Sequence, residues 1–539
     1  PFTGMDYEHL NAKIGGCGLF HYISFMTLSI TTFKYVVEFQ GLTFALYEPK
    51  FSCLVKNISS TIRNSTNLIS KDQCQYRLSV NDSWNKCDQW TFEKRFMRNT
   101  LINELNLVCD RAFYRELIFT TFFVGCLFSF PFSILSDSIG KRLLLIVSIF
   151  LSTIITIGQM VSYQIWQQLV LSFVSGVCKS VYVSLAYTTL IEIIPVSHID
   201  LAATNFWNLY SFGYMLVALF AYIFRSWRQI YILSLITSIF YVLYFWFVPE
   251  TPRWLMLNKR RNEAFKTMSF IAKINKCTLN KEEFNKWKPI QQVTGKFWNL
   301  LKHKTMIYRF LILNFAGWAF SFAYIGSATD LTFASENIFI TTFVMGLIEL
   351  PTGPLSGIMA NKLGRKKSVS ALSGLGIICL IIMPFIEADS LKSVWQPWLK
   401  VCLAMGAKLG FSSAWLIFDI ITNELIPTTD RNTAMSLVYI TVGLGSIFAP
   451  MIHSVLLQFY FAGPFLLYSL LLLITVVLVF AFIPETHHLP VPQTIEQAVS
   501  LLIHKEQEWK MDMIQQAEKL GMVHRPSEQL DTEFDKFLL

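Results

Sequence analysis

The sequence predicts an all-α membrane protein with twelve transmembrane helices in two six-helix halves. The chain is 53% apolar and only 15% charged, with a mean hydropathy of +0.44, whereas average soluble chains are about 25% charged. A transmembrane helix needs about 20 mostly apolar residues, and lipid requires helical backbone because it offers no hydrogen-bond partners. The stretches of this length are 19–46, 116–136, 143–163, 166–194, 203–224, 229–248, 307–329, 337–360, 368–387, 395–421, 433–457 and 460–483.

The stretch between the first two predicted helices, residues 47–115, is polar and rich in cysteine. Its candidate disulfide and glycosylation residues are Cys53, Cys74, Cys87 and Cys109, and the sequon asparagines Asn57, Asn64 and Asn81. Cysteines and sequons together indicate an oxidising compartment in which glycans are added. We therefore expect this loop to be extracellular, glycosylated and disulfide-bonded, with three cysteine pairings possible.

Basic residues mark the opposite side of the membrane. The segment 249–306 carries thirteen Lys or Arg against four acids, and shorter basic turns follow the second and eighth predicted helices. The positive-inside rule places all three in the cytoplasm. We expect a multi-pass plasma-membrane protein with both termini cytoplasmic. The predicted divisions are an N-terminal half (1–248), a basic linker (249–306), a C-terminal half (307–483) and a cytoplasmic tail (484–539).

Three short motifs occur twice in the same order, about 224–235 residues apart. DSIGKR at 137–142 recurs as NKLGRK at 361–366. EIIP at 192–195 recurs as ELIP at 424–427, and PET at 249–251 recurs at 484–486. Parallel repeats related by an axis along the membrane normal are the architecture of major facilitator transporters. The sequence therefore predicts that fold.

The repeated turns are candidate cytoplasmic gates. Glycine permits a tight turn, and the basic residues beside it can hydrogen-bond helix ends or pair with acids on neighbouring helices. We expect Glu424 and Arg431 to form a charge cluster with the second turn, and simple positive-inside anchoring is the alternative. The gate candidates are Asp137, Gly140, Arg142, Glu192, Gly364, Arg365, Glu424 and Arg431.

Longer motifs along the chain are typical of one transporter family. They are ELNLVCD at 104–110, PETPRWL at 249–255, NELIPT at 423–428 with RNT at 431–433, and TIE at 494–496. Together they resemble the organic cation, organic anion and carnitine transporter family over almost the whole chain. This resemblance implies a polyspecific carrier of small organic ions that works by alternating access. Ser138 and Asn361 depart from the family's gate motif, which has Arg and Asp at those places.

Ionisable residues inside the predicted helices mark the candidate substrate site, because each costs about 2.5–3.5 kcal/mol to insert at the helix centre. Lys34 and Glu38 are spaced i,i+4 and can neutralise each other. By the resemblance, Glu349 and Lys408 match the family's acidic residue on helix 8 and basic residue on helix 10. Aromatic side chains crowd the same helices and bind organic ions of either sign. The candidate binding residues are Tyr187, Trp318, Tyr324, Glu349, Lys408, Trp415 and Asp419.

Two differences from the family's usual residues, on predicted helices 10 and 11, indicate the preferred substrate charge. The family often carries Asp in cation carriers, or Arg in anion and carnitine carriers, where this chain has Gly443. Because that Arg is absent and Asp419 is added near the membrane midplane, we expect organic cations or zwitterions. The alternatives are an organic anion carrier of the same family, a sugar-type carrier, and a receptor or scaffold that does not transport.

The sequence gives little indication of an enzyme. The nine histidines show no metal-binding spacing, and no nucleotide-binding glycine-rich loop occurs. We therefore expect no cofactor and a gradient, rather than ATP, as the energy source. The basic runs alternate with membrane spans, which argues against nucleic acid as a partner. The expected partners are a small organic ion and the lipid bilayer, and the coupling ion is not identified.

Overall fold

Membrane-crossing helices make up most of the computed structural model. The described residues are 10–11, 13–53, 69–71, 74–77, 84–87, 89–241, 244, 247–286, 303–331, 337–388, 396–426, 431–460 and 462–487. Among them, nine helices are long and apolar enough to cross a membrane. The helices Leu19–Ala45, Phe113–Leu127 and Trp227–Ile239 lie at the other three predicted positions, so the architecture is consistent with twelve spans.

Several predicted spans consist of two consecutive helices. In chain order the helices are α1 (Leu19–Ala45), α2 (Leu101–Leu105), α3 (Phe113–Leu127), α4 (Phe130–Ile139), α5 (Lys141–Val161), α6 (Ile165–Ile193), α7 (Val196–Asn205), α8 (Asn208–Phe224), α9 (Trp227–Ile239), α10 (Pro252–Leu257), α11 (Arg261–Ile274), α12 (Lys281–Lys286), α13 (Lys304–Leu331), α14 (Ile338–Glu349), α15 (Thr352–Leu363), α16 (Arg365–Ala388), α17 (Gln396–Leu425), α18 (Arg431–Phe459) and α19 (Gly463–Phe482). Pro131 is the second residue of α4 and Pro351 precedes α15, where proline interrupts the backbone hydrogen bonds of a continuous helix.

The loop between α1 and α3 is built from two small antiparallel sheets and two disulfides. Its strands are β1 (Phe51–Cys53), β2 (Ile69–Lys71), β3 (Gln75–Arg77), β4 (Asn85–Lys86) and β5 (Trp90–Phe92). Strand β1 pairs with β5, and β3 lies between β2 and β4. The disulfides join Cys53 to Cys87 and Cys74 to Cys109, with Cα atoms 5.8 and 5.7 Å apart. The sequons at Asn57, Asn64 and Asn81 lie outside the described residues.

An ion pair anchors this loop to the helices. Glu104 in α2 accepts a hydrogen bond from Arg228 in α9, with 2.6 Å between Oε2 and Nη2. Arg228 also donates to the carbonyl of Met160 at the end of α5. The acidic residue of the ELNLVCD motif therefore connects the loop to two helices of the N-terminal half.

The chain before α1 packs against the helices of the linker. Leu10, Ile14, Trp254 and Met268 belong to one buried apolar cluster. The Asn275 amide donates to the carbonyl of Ile14 and accepts from the backbone N–H of Phe20, both at 2.9 Å. The linker thus holds the segment that leads into the first membrane helix.

The two halves are α1–α9 and α13–α19, which we call the first and second halves. They meet along α8 against α14 and along α3 against α18. At Gly346 of α14, an added Cβ would lie 2.9 Å from the backbone nitrogen of Met215 in α8. This close approach brings side chains from both halves to the middle of the membrane region.

Candidate functional site

A buried ion pair lies in the second half, where α14 and α17 face the first half. The Nζ atom of Lys408 is 3.0 Å from Oε1 of Glu349, and the two side chains are 2% and 5% exposed. Lys408 lies within about 4 Å of the middle of α17, at 1.5 Å rise per residue. Tyr324 of α13 donates its hydroxyl to the same Glu349 oxygen at 2.5 Å. Each charge is thereby compensated, as burial requires.

Tyrosine rings from both halves surround the Lys408 ammonium, and we call this arrangement the tyrosine cage. The Nζ atom is 4.6 Å from the centre of the Tyr214 ring and 5.3 Å from that of Tyr324. Tyr210 packs beside Tyr214 at 6.0 Å, and Trp415 meets Tyr324 edge-on at 5.5 Å. Tyr210 and Tyr214 are spaced i,i+4 on α8 and so share one face of that helix. The cage therefore spans the boundary between the halves.

The second oxygen of the Glu349 carboxylate, Oε2, is the less completely paired of the two. Among the described residues, no hydrogen-bond donor reaches the buried Oε2 atom. Glu349 is the last residue of α14, two residues before Pro351. Since a carboxylate can accept several hydrogen bonds, this oxygen has acceptor capacity that the described residues do not use.

A second buried cluster lies wholly within the first half, and we call it the first-half cluster. Glu38 of α1 pairs with Lys34 at 3.0 Å and with Lys179 of α6 at 3.4 Å. The expected i,i+4 pair therefore forms, but a second lysine joins it. Hydroxyl groups also donate to Glu38, from Ser234 at 2.7 Å and Thr156 at 2.9 Å. Both Glu38 oxygens are paired, and the three charged side chains sum to one positive charge.

The repeated motifs meet at one place in the first half. Gly140 has a φ of 109°, which favours glycine, and it turns the chain into α5. The first two N–H groups of α5, on Lys141 and Arg142, each donate to Glu250 of the PET motif at 3.1 Å. The Lys141 ammonium also lies 2.5 Å from Glu192 of the EIIP motif. Burial raises the pKa of the Glu250 carboxyl above its ordinary value, and the two N–H donors oppose that rise.

The second half repeats this arrangement. Gly364 has a φ of 87°, and the N–H groups of Arg365 and Lys366 donate to Glu485 at 2.8 and 3.1 Å. The guanidinium of Arg365 lies 3.1 Å from Glu424. In each half, a carboxylate thus satisfies a helix N-terminus, where unpaired N–H groups and the helix dipole favour negative charge.

These contacts bear on the gate candidates in three ways. Five candidates take part in the two networks: Glu192, Glu424, Gly140, Gly364 and Arg365. Each contact described above joins residues of the same half. Arg142 contributes its backbone N–H. The side chains of Asp137 and Arg431 lie outside the described residues. Sequence reasoning assigned no role to Glu250 and Glu485, although the PET repeat was the signal that could have found them.

The predicted binding residues divide into two groups. Tyr324, Glu349, Lys408 and Trp415 come together in the cage described above. Tyr187 instead packs on Phe206 at 5.4 Å, and Trp318 stacks on Phe322 at 5.3 Å. Sequence reasoning missed Tyr210 and Tyr214, whose i,i+4 spacing on an apolar helix was the available signal.

Asp419 lies apart from the cage, at a different depth. It is about 13 Å from the middle of α17 towards the Glu424 end, by helical rise, and so differs from the expected position near the midplane. Trp415 lies four residues, about one turn, earlier on the same helix. Within the described part of the chain, no basic side chain lies within ion-pair distance of it.

Gly443, where the family often carries a charged residue, lies at a contact between the two halves. A Cβ added at Gly443 of α18 would lie 2.2 Å from the Leu127 side chain of α3. A larger residue at position 443 would require the end of the Leu127 side chain to move. Glycine itself supplies no charge at this contact between the halves, whereas the Glu349–Lys408 pair supplies charges of both signs in the second half.

Comparison with known proteins places these features in a family context. The family model described as sugar (and other) transporter matches residues 61–496. The mouse organic cation/carnitine transporter 2 is 27% identical, over 96% of this chain and 98% of the relative. The human protein of that name is 28% identical, over 91% of this chain and 94% of its own length. The family resemblance found in the motifs therefore extends over the chain.

A solved structure matches the arrangement of the helices. It is the major facilitator proton:xylose symporter XylE bound to 6-bromo-6-deoxy-D-glucose, with a TM-score of 0.60 and 15% identity. The match covers 89% of this chain and 99% of the symporter. This likeness confirms the major facilitator fold predicted from the repeats.

Proposed function

The chain belongs to the sugar (and other) transporter family, and from that premise we propose that it carries small organic cations or zwitterions across a membrane by alternating access. The observation that carries the proposal is the Glu349–Lys408 pair inside the tyrosine cage. Buried ionisable groups in membrane helices are costly and typically mark substrate or ion pathways. Here they lie in the second half beside Tyr214 of the first half, and alternating access needs its site at such a boundary.

The cage suits a positively charged substrate group. Aromatic faces attract cations, and the attraction strengthens when water is excluded. The open oxygen of Glu349 supplies a negative partner, while Lys408 can pair with a carboxylate. The named relatives are organic cation/carnitine transporters, which supports cations and zwitterions as the substrate class.

The other predicted site residues are proposed to act along the path to the cage. Asp419, near the Glu424 end of α17, would meet a cation on the cytoplasmic side, between Trp415 and the gate networks. Tyr187 and Trp318 would line the same path with aromatic surface. In this view the networks around Gly140 and Gly364 keep the helix ends of each half together while the halves rock.

The proposed orientation in the membrane rests on the loop between the first two predicted helices. We propose that residues 47–115 are extracellular, that both termini are cytoplasmic and that the protein resides in the plasma membrane, with the two halves at 1–248 and 307–483. Glycosidase treatment of protein made in eukaryotic cells should lower its apparent mass. Replacing Asn57, Asn64 and Asn81 together with Gln should abolish that change, and an unchanged mass of the parent protein would contradict the orientation.

Uptake by expressing cells tests the proposed activity. Cells are given one labelled organic cation, one zwitterion and one anion, with mock-transfected cells and the Glu349→Gln variant as controls at equal surface expression. Uptake of the cation or zwitterion that is lost in the variant supports the proposal. Uptake of none of the three by protein at the cell surface would instead support a receptor or scaffold.

An organic anion carrier is the second candidate. The surplus positive charge of the first-half cluster favours it, because Lys34 and Lys179 share the single carboxylate of Glu38. The same uptake experiment separates the two, since an anion carrier would take up the anion alone.

A further inference from the structure

We propose that the Lys408 ammonium occupies the substrate's place in the tyrosine cage and that an incoming cationic group displaces it from Glu349. This inference rests on the proposed function and adds a rule for specificity. Lys408 would act as a tethered competitor, so the substrate that best compensates for its displacement would bind best.

The contacts of Lys408 are those that a bound organic cation would make. Its ammonium lies 3.0 Å from a carboxylate oxygen and 4.6 and 5.3 Å from the centres of two tyrosine rings. One ring, Tyr214, belongs to the first half, so the lysine also connects the halves. A cationic ligand in this position would make the same contacts, but unlike the lysine it could leave the protein on either side of the membrane.

The pair has features expected of an exchangeable contact. Lysine is a compact charge on a flexible four-carbon stem, so its ammonium can move without displacing its helix. Glu349 keeps one oxygen without a donor among the described residues, so a second cation can approach before Lys408 departs. At that moment the carboxylate is shared, as Glu38 is shared by two lysines in the first-half cluster.

Displacement leaves Lys408 without its negative partner, and this sets the specificity. A purely cationic substrate pairs with Glu349 but leaves a buried ammonium uncompensated, which is costly in a membrane interior. A zwitterion gives its cationic group to Glu349 and its carboxylate to Lys408. We therefore infer that zwitterions are preferred over cations of the same size, and that Lys408 is the residue that determines this preference.

Two probes that differ only in a carboxylate test the inference. Butyltrimethylammonium is the cation and 4-(trimethylammonio)butanoate is the zwitterion, and equilibrium binding of each is measured on purified full-length protein. In Lys408→Gln the cation should bind about tenfold more tightly because its competitor is gone, and the zwitterion about tenfold more weakly because its carboxylate partner is gone. The ratio of the two dissociation constants would change by about a hundredfold.

Lys179→Gln is the matched control, because it also removes a buried lysine that pairs with a glutamate and lies 4.8 Å from an aromatic ring, that of Phe122. It should leave the ratio unchanged, since Lys179 lies outside the cage. An unchanged ratio in Lys408→Gln, or an equal change in Lys179→Gln, would overturn the inference.

Lys408→Arg keeps the positive charge, so it tests the inference even if the Lys408→Gln protein does not fold. A guanidinium can hold both oxygens of Glu349, so the cation should bind about tenfold more weakly than to the parent protein. Unchanged cation binding in this variant would also overturn the inference.

The experiment distinguishes failure of the proposed function from failure of this inference. If the parent protein binds neither probe and takes up no organic ion, the proposed function fails. If it binds both probes but the variants behave alike, only the displacement of Lys408 fails.

Discussion

The two buried charge clusters use the same groups but differ in how completely those groups are paired. In the first-half cluster, Glu38 accepts from two lysines and from hydroxyls on α5 and α9, so both of its oxygens are occupied. In the cage, Glu349 accepts from Lys408 and Tyr324 on one oxygen only. The first arrangement joins helices within one half. The second leaves an unpaired carboxylate oxygen near the boundary between the halves, which move relative to each other in alternating access.

The comparison separates a structural function from a binding function. A fully paired carboxylate stabilises its own half because every charge removed from water has a partner. A partly paired one adds less stability but can exchange partners. Mutations of equivalent residues in the two clusters should therefore affect different measurements.

Glu38→Gln should have the largest effect, on folding. It leaves Lys34 and Lys179 buried without a negative partner, which typically costs about 3–5 kcal/mol. We expect little protein at the cell surface and a strongly lowered melting temperature in detergent. Glu38→Asp, which keeps the charge, should retain more stability; a parent-like melting temperature in Glu38→Gln would show that the cluster is not structural.

Glu349→Gln should mainly reduce transport. Lys408 loses its carboxylate, which lowers stability, but only one lysine is affected and it keeps its two tyrosine rings. The loss of stability should therefore be smaller than in Glu38→Gln. Uptake of a cation should fall roughly 30-fold, which corresponds to about 2 kcal/mol for the loss of a buried charge partner. Uptake is measured at equal surface expression, with Tyr324→Phe as a control that keeps the ring. Parent-like cation uptake in Glu349→Gln would place the binding site elsewhere.

The positions of the membrane helices could be predicted because lipid imposes a simple rule on sequence. Stretch 143–163 corresponds to α5 and stretch 166–194 to α6, within two residues at each end. The major facilitator fold followed from three motifs whose order and spacing repeat, as the structural comparison confirms. Breaks such as that at Pro351 were not predicted, because a run of apolar residues does not show where two helices replace one.

The site was only partly predictable because it depends on contacts between distant helices. Glu349 and Lys408 were identified separately, as ionisable residues at membrane depth, and the structure pairs them. Tyr210 and Tyr214 were missed because the chain has 20 tyrosines, and the ammonium that Tyr214 contacts lies in the other half. The depth of Asp419 was misjudged, since apolar composition alone gives no reference point along a helix of 30 residues.

The networks at Gly140 and Gly364 allow a test of equivalence between the halves. Glu250→Gln and Glu485→Gln each remove the negative charge at a helix start and leave one acceptor oxygen for two N–H groups, because the amide nitrogen can only donate. Each should lower the free energy of unfolding by about 1–2 kcal/mol, measured by denaturation with SDS. Because the networks lie in different halves, the double variant should show the sum. A strongly non-additive result would indicate that the networks are coupled across the boundary.

Asp419→Asn should have the smallest effect and should depend on substrate charge. The substitution keeps the shape of the side chain and removes its charge, at a position outside the cage. A carboxylate on the cytoplasmic path would raise the local concentration of cations and so speed their passage. We expect uptake of a cation to fall about two- to fivefold, since nearby opposite charges contribute roughly 0.5–1 kcal/mol at partly exposed sites. Uptake of an anion should not fall. Uptake is compared at equal surface expression, with Asp419→Glu as the variant that retains the charge. Equal losses for both substrates would assign Asp419 to helix packing and would leave the cage as the place where charge is selected.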